Sequence, residues 1–197
     1  MGAPADLTGL VQLDTLPCMP SLTVELPSQE SLAAQNMARW EEIIADPQLA
    51  RLDARIETDR FGHIIMSPPS SAHHGSYQFR IGMLLSQRMP TGRVITECPI
   101  STADGVKAAD VAWASDQRIH ELGEKVVFPR SPEICVEVLS PGNSPAEMRV
   151  KSELYFDAGA SEVWHCSLDG KLTFFASPDE SLRDSMVCPG FPQQISI

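Results

Sequence analysis

The stretch EICVEVLSPGNSPAEMRVKSELYFDAGASEVW, from Glu133 to Trp164, predicts a strand, a helix and a second strand in succession. Its first part is almost continuously apolar, which is typical of a central strand covered on both faces. Ser144 and Glu147 have the spacing of a helix N-terminal capping box, and Gly159 is suited to end that helix. The stretch therefore predicts a strand–helix–strand unit inside a sheet that carries helices on its faces.

The rest of the chain extends this mixed α/β pattern on both sides. Residues 1–27 are rich in proline and lack periodicity, so we expect an N-terminal arm followed by a single domain over residues 28–197. Patterns of apolar spacing and turn residues predict helices over 28–46, 71–89 and 116–122, strands over 53–58, 63–67, 93–100 and 108–115, a loop at 103–107, and a C-terminal strand pair at 161–168 and 171–177.

Composition places limits on the class of protein. The 197 residues are 43% hydrophobic and 21% charged, as in an ordinary globular protein, and no apolar run is long enough to span a membrane. Five widely spaced cysteines form no CxxC pair, which favours a reduced, cytoplasmic setting over a disulfide or zinc framework. The net charge of −11 argues against broad, non-specific binding of nucleic acid, although it leaves room for a local cationic site.

Three carboxylates and one lysine are not explained by the apolar pattern. Glu137 interrupts a buried strand, where a charge is costly unless it is paired or bound to a cation. Asp110 begins the strand DVAWA, Glu57 lies on the early strand ARIET, and Lys151 lies on the apolar stripe of the predicted helix that follows Glu137. If these elements are neighbours in one sheet, their side chains converge.

Such a set suits the hydrolysis of phosphodiesters. Mg²⁺ and Mn²⁺ prefer oxygen ligands, so Asp110 and Glu137 are the predicted metal-binding carboxylates and the Val138 carbonyl is a third candidate ligand. Lys151 would orient the attacking water or offset the charge that develops on the phosphorus oxygens. Glu57 would assist a metal ion or a second water.

The same residues also carry a family resemblance. ADVAWAS, the stretch from Glu133 to Trp164, and RIETDRFGHIIMSPPSS resemble the Uma-type family of restriction endonucleases, within the PD-(D/E)XK nuclease superfamily, over about residues 30–177. The resemblance implies a restriction-endonuclease-like core, with Asp110 and Glu137 as its two acids, Lys151 as its lysine and Glu57 as an early acid. Leu139 stands where the superfamily's usual lysine would be, so the lysine assignment depends on Lys151.

Other interpretations of these residues stay open. Glu137 and Lys151 could form a buried ion pair without catalysis, as part of a catalytically silent binding or assembly module. For His73 and His74, neighbours that point in different directions on a helix, we expect a helix N-terminal or surface role. Several arginines could line a phosphate path or merely lie on solvated helix faces; they are Arg60, Arg80, Arg88 and Arg149.

The sequence-based hypothesis is therefore a metal-dependent endonuclease. Its expected partner is nucleic acid, with DNA as the first choice, and no membrane is involved. Cleavage of both strands of a duplex needs two sites, so a two-fold homodimer is expected.

Overall fold

The computed structural model describes residues 28–197, so the predicted arm at 1–27 lies outside the described residues. Within that range, helices and strands follow the predicted order closely. The helices are α1 (Gln29–Ala45), α2 (Ala72–Arg88), α3 (Asp116–Leu122) and α4 (Pro145–Asp157), and the strands are β1 (Arg55–Thr58), β2 (Ile64–Ser67), β3 (Arg93–Thr102), β4 (Gly105–Ala114), β5 (Ile134–Val138), β6 (Glu162–Cys166), β7 (Leu172–Ser177) and β8 (Glu180–Leu182).

All four helices begin in the same way, directly after a serine. The serine hydroxyl accepts a hydrogen bond from a backbone N–H three residues later, which satisfies one of the unpaired donors of the first turn. The four capping serines are Ser28, Ser71, Ser115 and Ser144. At Ser144 the Glu147 side chain also bonds back to the cap backbone, so the predicted capping box is confirmed.

A six-stranded mixed sheet forms the centre of the fold, in the order β3-β4-β5-β6-β7-β8. Only β5 and β6 run parallel, and α4 connects them, while every other neighbouring pair is antiparallel. β1 and β2 form a separate antiparallel hairpin. The predicted strand–helix–strand unit is thus the parallel crossover at the middle of the sheet.

The core lies on both faces of this sheet. Tyr77, Ile81 and Leu85 of α2 pack with one set of buried strand residues, and Tyr155 of α4 packs with another. The four cysteines of the described residues are buried and unbridged. Within residues 28–197, no helix is both long enough and apolar enough to cross a bilayer.

The predicted loop at 103–107 is shorter in the structure. Only Ala103 and Asp104 form the turn, and β4 begins at Gly105. The difference matters because the β1–β2 hairpin is hydrogen-bonded to this first part of β4. The Thr58 hydroxyl accepts from the Val106 backbone N–H at 2.8 Å, and Lys107 Nζ donates to the Thr58 carbonyl at 2.8 Å.

Candidate active site

The site begins where the hydrogen-bonded ladder between β4 and β5 ends. The last pair of that antiparallel ladder is Val111 opposite Val136, and the next residues on the two strands are Asp110 and Glu137. Beyond that pair, the Asp110 side chain takes the place of a backbone hydrogen-bond partner. Its Oδ2 accepts a hydrogen bond from the Val138 backbone N–H at 2.6 Å. Both acids are buried, with 1% of Asp110 and 5% of Glu137 exposed.

Lys151 on α4 meets Glu137 as the sequence predicted. Its Nζ lies 3.1 Å from Glu137 Oε1 and 3.2 Å from Oε2. The Tyr155 hydroxyl, one helical turn later, donates to Glu137 Oε1 at 2.7 Å. The buried carboxylate is therefore compensated by an ammonium group and a phenol from the same helix, as a buried charge requires.

The β1–β2 hairpin brings the fourth predicted residue to the same place. Glu57 Oε1 lies 3.0 Å from Lys151 Nζ and accepts from the Ala108 backbone N–H at 3.0 Å. Lys151 Nζ also donates to the Ala108 carbonyl at 3.3 Å. Glu57, Lys151 and Glu137 thus form a continuous chain of contacts, and Asp110 lies beside it.

Arg55 is the main residue of this site that the sequence reasoning missed. Its Nη1 lies 2.6 Å from Asp110 Oδ1, its Nε lies 3.3 Å from Glu97 Oε2, and its Nη2 lies 3.8 Å from Glu57 Oε1. A single guanidinium therefore contacts three carboxylates from β1, β3 and β4. The available signal was its position on β1, two residues before Glu57, where alternation points both side chains to the same face.

Glu97 on β3 was also missed, and its backbone is unusual. The β3–β4 register pairs Thr96 with Val111 and Cys98 with Ala109, but between them Glu97 and Asp110 interrupt the pairing. Glu97 has φ of 49°, and it is the one non-glycine residue of the described range with a positive φ. Such a conformation costs an L-residue roughly 1–2 kcal/mol. The sequence signal was an acidic residue in the interior of a strand whose other charged residue, Arg93, lies at its start.

Two side chains of α2 complete the surroundings of Asp110. His74 Nε2 lies 3.2 Å from Asp110 Oδ2 and 3.0 Å from the Val138 carbonyl oxygen. Gln78 Nε2 donates to Glu97 Oε1 at 2.7 Å and to Asp110 Oδ1 at 3.3 Å. Of the two expected alternatives, a helix N-terminal or a surface role, the structure agrees with the first for His74, which lies in the first turn of α2 with a buried side chain.

Two of the arginines proposed for a phosphate path form ion pairs elsewhere. Arg60 Nε lies 3.1 Å from Asp104 Oδ1, and Arg149 makes a two-pronged contact with Asp179 at 2.9 Å. Arg55 is the guanidinium that reaches the predicted acids.

Burial and charge act in opposite directions on the acids of this site. Burial raises the pKa of Glu137 to about 7, even though Lys151 opposes the shift. Burial would also raise the pKa values of Asp110 and Glu57, but hydrogen bonding to His74 and the charge of Arg55 lower the first, and Lys151 lowers the second. Glu137 is thus the acid that exchanges a proton near neutral pH.

The cations respond to the same charges. Burial would lower the pKa of Lys151, but Glu137 and Glu57 outweigh it and raise that pKa. Burial would likewise lower the pKa of Arg55, but the four surrounding carboxylates hold it above its ordinary value. Both side chains therefore stay charged at neutral pH.

The carboxylate oxygens of this site suit a hard divalent cation, and the structure places the guanidinium of Arg55 beside them. Asp110 and Glu137 supply carboxylate oxygens, the ligands that Mg²⁺ and Mn²⁺ prefer. Asp110 Oδ1 is bonded to the guanidinium of Arg55, so this carboxylate already has a cationic partner. Within residues 28–197, no three His, Cys, Asp or Glu side chains are arranged as a ready metal-binding group. The Val138 carbonyl faces His74 Nε2, and its use as a ligand stays a prediction.

Comparison with known proteins identifies the family of this chain. The Uma2 family model, described as "Putative restriction endonuclease", matches residues 40–194. The chain belongs to the Uma2 family. The family resemblance inferred from the sequence is therefore confirmed, and Uma2 membership indicates a nuclease-type function in general terms. No curated protein matches the chain.

A solved structure agrees with the Uma2 assignment at the level of the fold. The chain is similar to the crystal structure described as "a putative nuclease belonging to DUF820 from Anabaena variabilis ATCC 29413", with a TM-score of 0.55 and 19% sequence identity. The match covers 64% of this chain and 74% of that chain. The predicted restriction-endonuclease-like core, a central mixed sheet flanked by helices, is confirmed.

Proposed function

We propose that this Uma2 protein is a metal-dependent endonuclease that hydrolyses phosphodiester bonds of nucleic acid at the Asp110–Glu137 site. The observation that carries the proposal is the convergence of Asp110, Glu137, Lys151 and Glu57 from four different elements. Burying several charged groups costs free energy that their ion pairing can fail to repay, and groups with shifted pKa values cluster at functional sites.

Each side chain has a role that follows from its contacts. Asp110 and Glu137 would hold a Mg²⁺ or Mn²⁺ ion, which supplies a Lewis acid for the phosphoryl oxygen. Lys151, charged and held by Glu137 and Glu57, would donate to the attacking water or to the oxygens on which negative charge develops. Glu57 positions the Lys151 ammonium and would bind a second water.

Tyr155 and His74 act on the two acids through hydrogen bonds. The Tyr155 hydroxyl restricts the Glu137 carboxylate to one orientation, since it donates to Oε1 at 2.7 Å. His74 does the same for Asp110 Oδ2. Both are positioning residues in this proposal.

A second candidate is the catalytically silent module. Its support is the ion pairing itself, because Asp110, Glu137, Glu57 and Glu97 each contact Arg55 or Lys151. In that case the acids and cations serve only to join the hairpin, the sheet and α4. The two candidates differ in whether a divalent cation binds and whether phosphodiesters are cut.

The test is cleavage of supercoiled plasmid and of circular single-stranded DNA with Mn²⁺, Mg²⁺ or EDTA. Asp110→Asn, Glu137→Gln and Lys151→Met should each lose metal-dependent cleavage, since each removes a charge and keeps the approximate shape. Arg149→Met is the matched control, because it removes a cation from the same helix without touching the site. Cleavage that survives all three site variants would refute the proposal. Absence of both cleavage and Mn²⁺ binding, measured by calorimetry, would favour the silent module.

We also propose DNA as the substrate. We further propose a reducing, cytoplasmic setting, which is supported by the four unbridged cysteines within residues 28–197. The homodimer expected for cleavage of both strands stays a prediction.

A further inference from the structure

A cleft of about 390 Å³ opens directly beside the candidate active site. It lies between α1, the segment that leads into β1, and the segment that precedes α2. Its lining includes the apolar side chains Trp40, Leu52, Ile56 and Pro69 and the charged side chains Asp53, Arg55 and Glu97.

The cleft and the site share a wall. Arg55, which bonds to Asp110, and Glu97 both line the cleft. So does Ala108, whose N–H bonds to Glu57 and whose carbonyl accepts from Lys151. A molecule held in the cleft would therefore lie against Arg55 and Ala108, which contact Asp110, Glu57 and Lys151.

The chemistry of the lining selects a flat, uncharged group. Trp40 is half-buried and lines the cleft, and Leu52 is 48% exposed. Large apolar side chains grouped around a concave site are typical of ligand pockets. The two carboxylates outnumber the single guanidinium in this lining, so a phosphate would be repelled and a neutral ring would not.

The size of the cleft points to a single unit of the substrate. Pockets for small molecules range over about 300–1,000 Å³, and this one lies near the lower limit. That volume accepts one base, whereas a paired base inside a duplex cannot enter without leaving its stack. The net charge of −11 also disfavours a surface that wraps a duplex backbone.

We propose that this cleft is a nucleobase subsite, in which an unpaired base of the substrate stacks on Trp40 next to the phosphodiester that is hydrolysed. The inference rests on the proposed nuclease function and adds its substrate class, single-stranded or locally unpaired nucleic acid. Aromatic stacking of this kind tolerates any base, because every base has a π-face.

Tryptophan fluorescence gives a test that needs no catalysis. The chain has three tryptophans, and Trp113 and Trp164 are only 6% and 0% exposed, so Trp40 is the one that a ligand can reach. Oligothymidylate and oligouridylate, added in EDTA, should quench the emission, and a blunt duplex of two separate, fully paired strands of matched length should not. Comparison of oligothymidylate with oligouridylate shows whether the subsite accepts DNA, RNA or both. In Trp40→Phe the quenching should disappear.

The affinity for an oligonucleotide distinguishes stacking of a base on Trp40 from binding that is merely near Trp40. By anisotropy of a labelled oligothymidylate, Trp40→Ala should weaken binding about tenfold, since stacking on an aromatic side chain contributes about 1–3 kcal/mol per base. Trp40→Phe should retain most of the affinity. Phe61→Ala is the control, because Phe61 is 76% exposed and lies in the hairpin turn outside the cleft.

The outcomes distinguish this inference from the proposed function. Quenching by the duplex as strong as by single strands, equal affinity of wild type and Trp40→Ala, or no binding of any oligonucleotide would overturn the subsite. Trp40-dependent binding without cleavage in any metal would retain the subsite and overturn the nuclease. If Trp40→Ala left cleavage unchanged, the nuclease would be retained and the subsite would be overturned.

Discussion

Arg55 Nη1 lies 2.6 Å from Asp110 Oδ1, so the acid proposed as a metal ligand is paired with a guanidinium. The bond joins β1 to β4 across 55 positions of the chain. The same guanidinium contacts Glu57 and Glu97, which makes it the shared counter-ion of three carboxylates. Arg55 stabilises the group of acids, and under the proposed function a divalent cation would compete with it.

The first prediction concerns this competition. Arg55→Gln should bind Mn²⁺ about tenfold more tightly or better than wild type, because a hydrogen bond to a charged group contributes roughly 1.5–3 kcal/mol and the ion no longer has to break it. Isothermal titration calorimetry measures the change. Arg55→Lys keeps the charge and should resemble wild type. Arg60→Gln removes the same charge from the same hairpin but away from the acids, and an equal gain there would contradict the explanation.

The second prediction concerns the proton of Glu137. Because burial raises its pKa in the folded protein to about 7, above its unfolded value, the protonated form favours folding. The stability this contributes is complete below the unfolded pKa and is lost as the pH rises through about 7. Relative to Glu137→Gln, wild type should therefore lose up to about 3 kcal/mol in free energy of unfolding between pH 4 and 8.

Urea denaturation of the two proteins across that pH range checks this. The comparison with Glu137→Gln isolates one carboxyl among its charged and polar neighbours Lys151, Asp110, Arg55 and Tyr155. A stability difference that stays constant with pH would show that folding leaves the pKa of Glu137 unchanged.

The third prediction concerns the backbone of Glu97. At φ of 49° a glycine avoids the steric cost that a glutamate bears. Glu97→Gly should thus be more stable than Glu97→Gln by about 1 kcal/mol, since both lose the charge that pairs with Arg55. Thermal denaturation of the two variants is sufficient. Equal stabilities would mean that the surrounding contacts have relaxed the strain.

The fourth prediction links the hairpin to the site. Gly105 has φ of 83°, and a Cβ there would lie 2.6 Å from the Thr58 carbonyl oxygen and would also collide with the Asp59 carbonyl. Gly105→Ala should therefore push β1 away from β4, lower the free energy of unfolding by about 2–3 kcal/mol and weaken Mn²⁺ binding as Glu57 and Arg55 move.

Gly75→Ala is the matched control for this substitution. Gly75 lies within α2, its added Cβ would meet nothing within 4 Å, and alanine is the better helix former. It should be neutral or slightly stabilising. If Gly105→Ala left both stability and Mn²⁺ affinity unchanged, the hairpin would not be what positions Glu57.

The sequence by itself determined the local units of this protein. The capping serines, the apolar strand and the stripe on α4 predict the β5–α4–β6 crossover, and this crossover alone brings Lys151 to Glu137, because the two residues belong to one continuous unit. The family motif adds Asp110 and Glu57. The prediction of the 103–107 loop was wrong in extent, since alternation is weak in GVK and the hairpin that makes this part of β4 a buried strand is distant in sequence.

Only the tertiary structure decided which cation neutralises the acids and which cleft adjoins them. Arg55 and His74 reach Asp110 from elements that are far apart along the chain, and Glu97 joins the group through Arg55. Periodicity reports which face of an element is buried, but not which distant side chain meets that face. The positive φ of Glu97 and the end of the ladder at Asp110 depend on how β3, β4 and β5 pair, and pairing is a property of the assembled sheet.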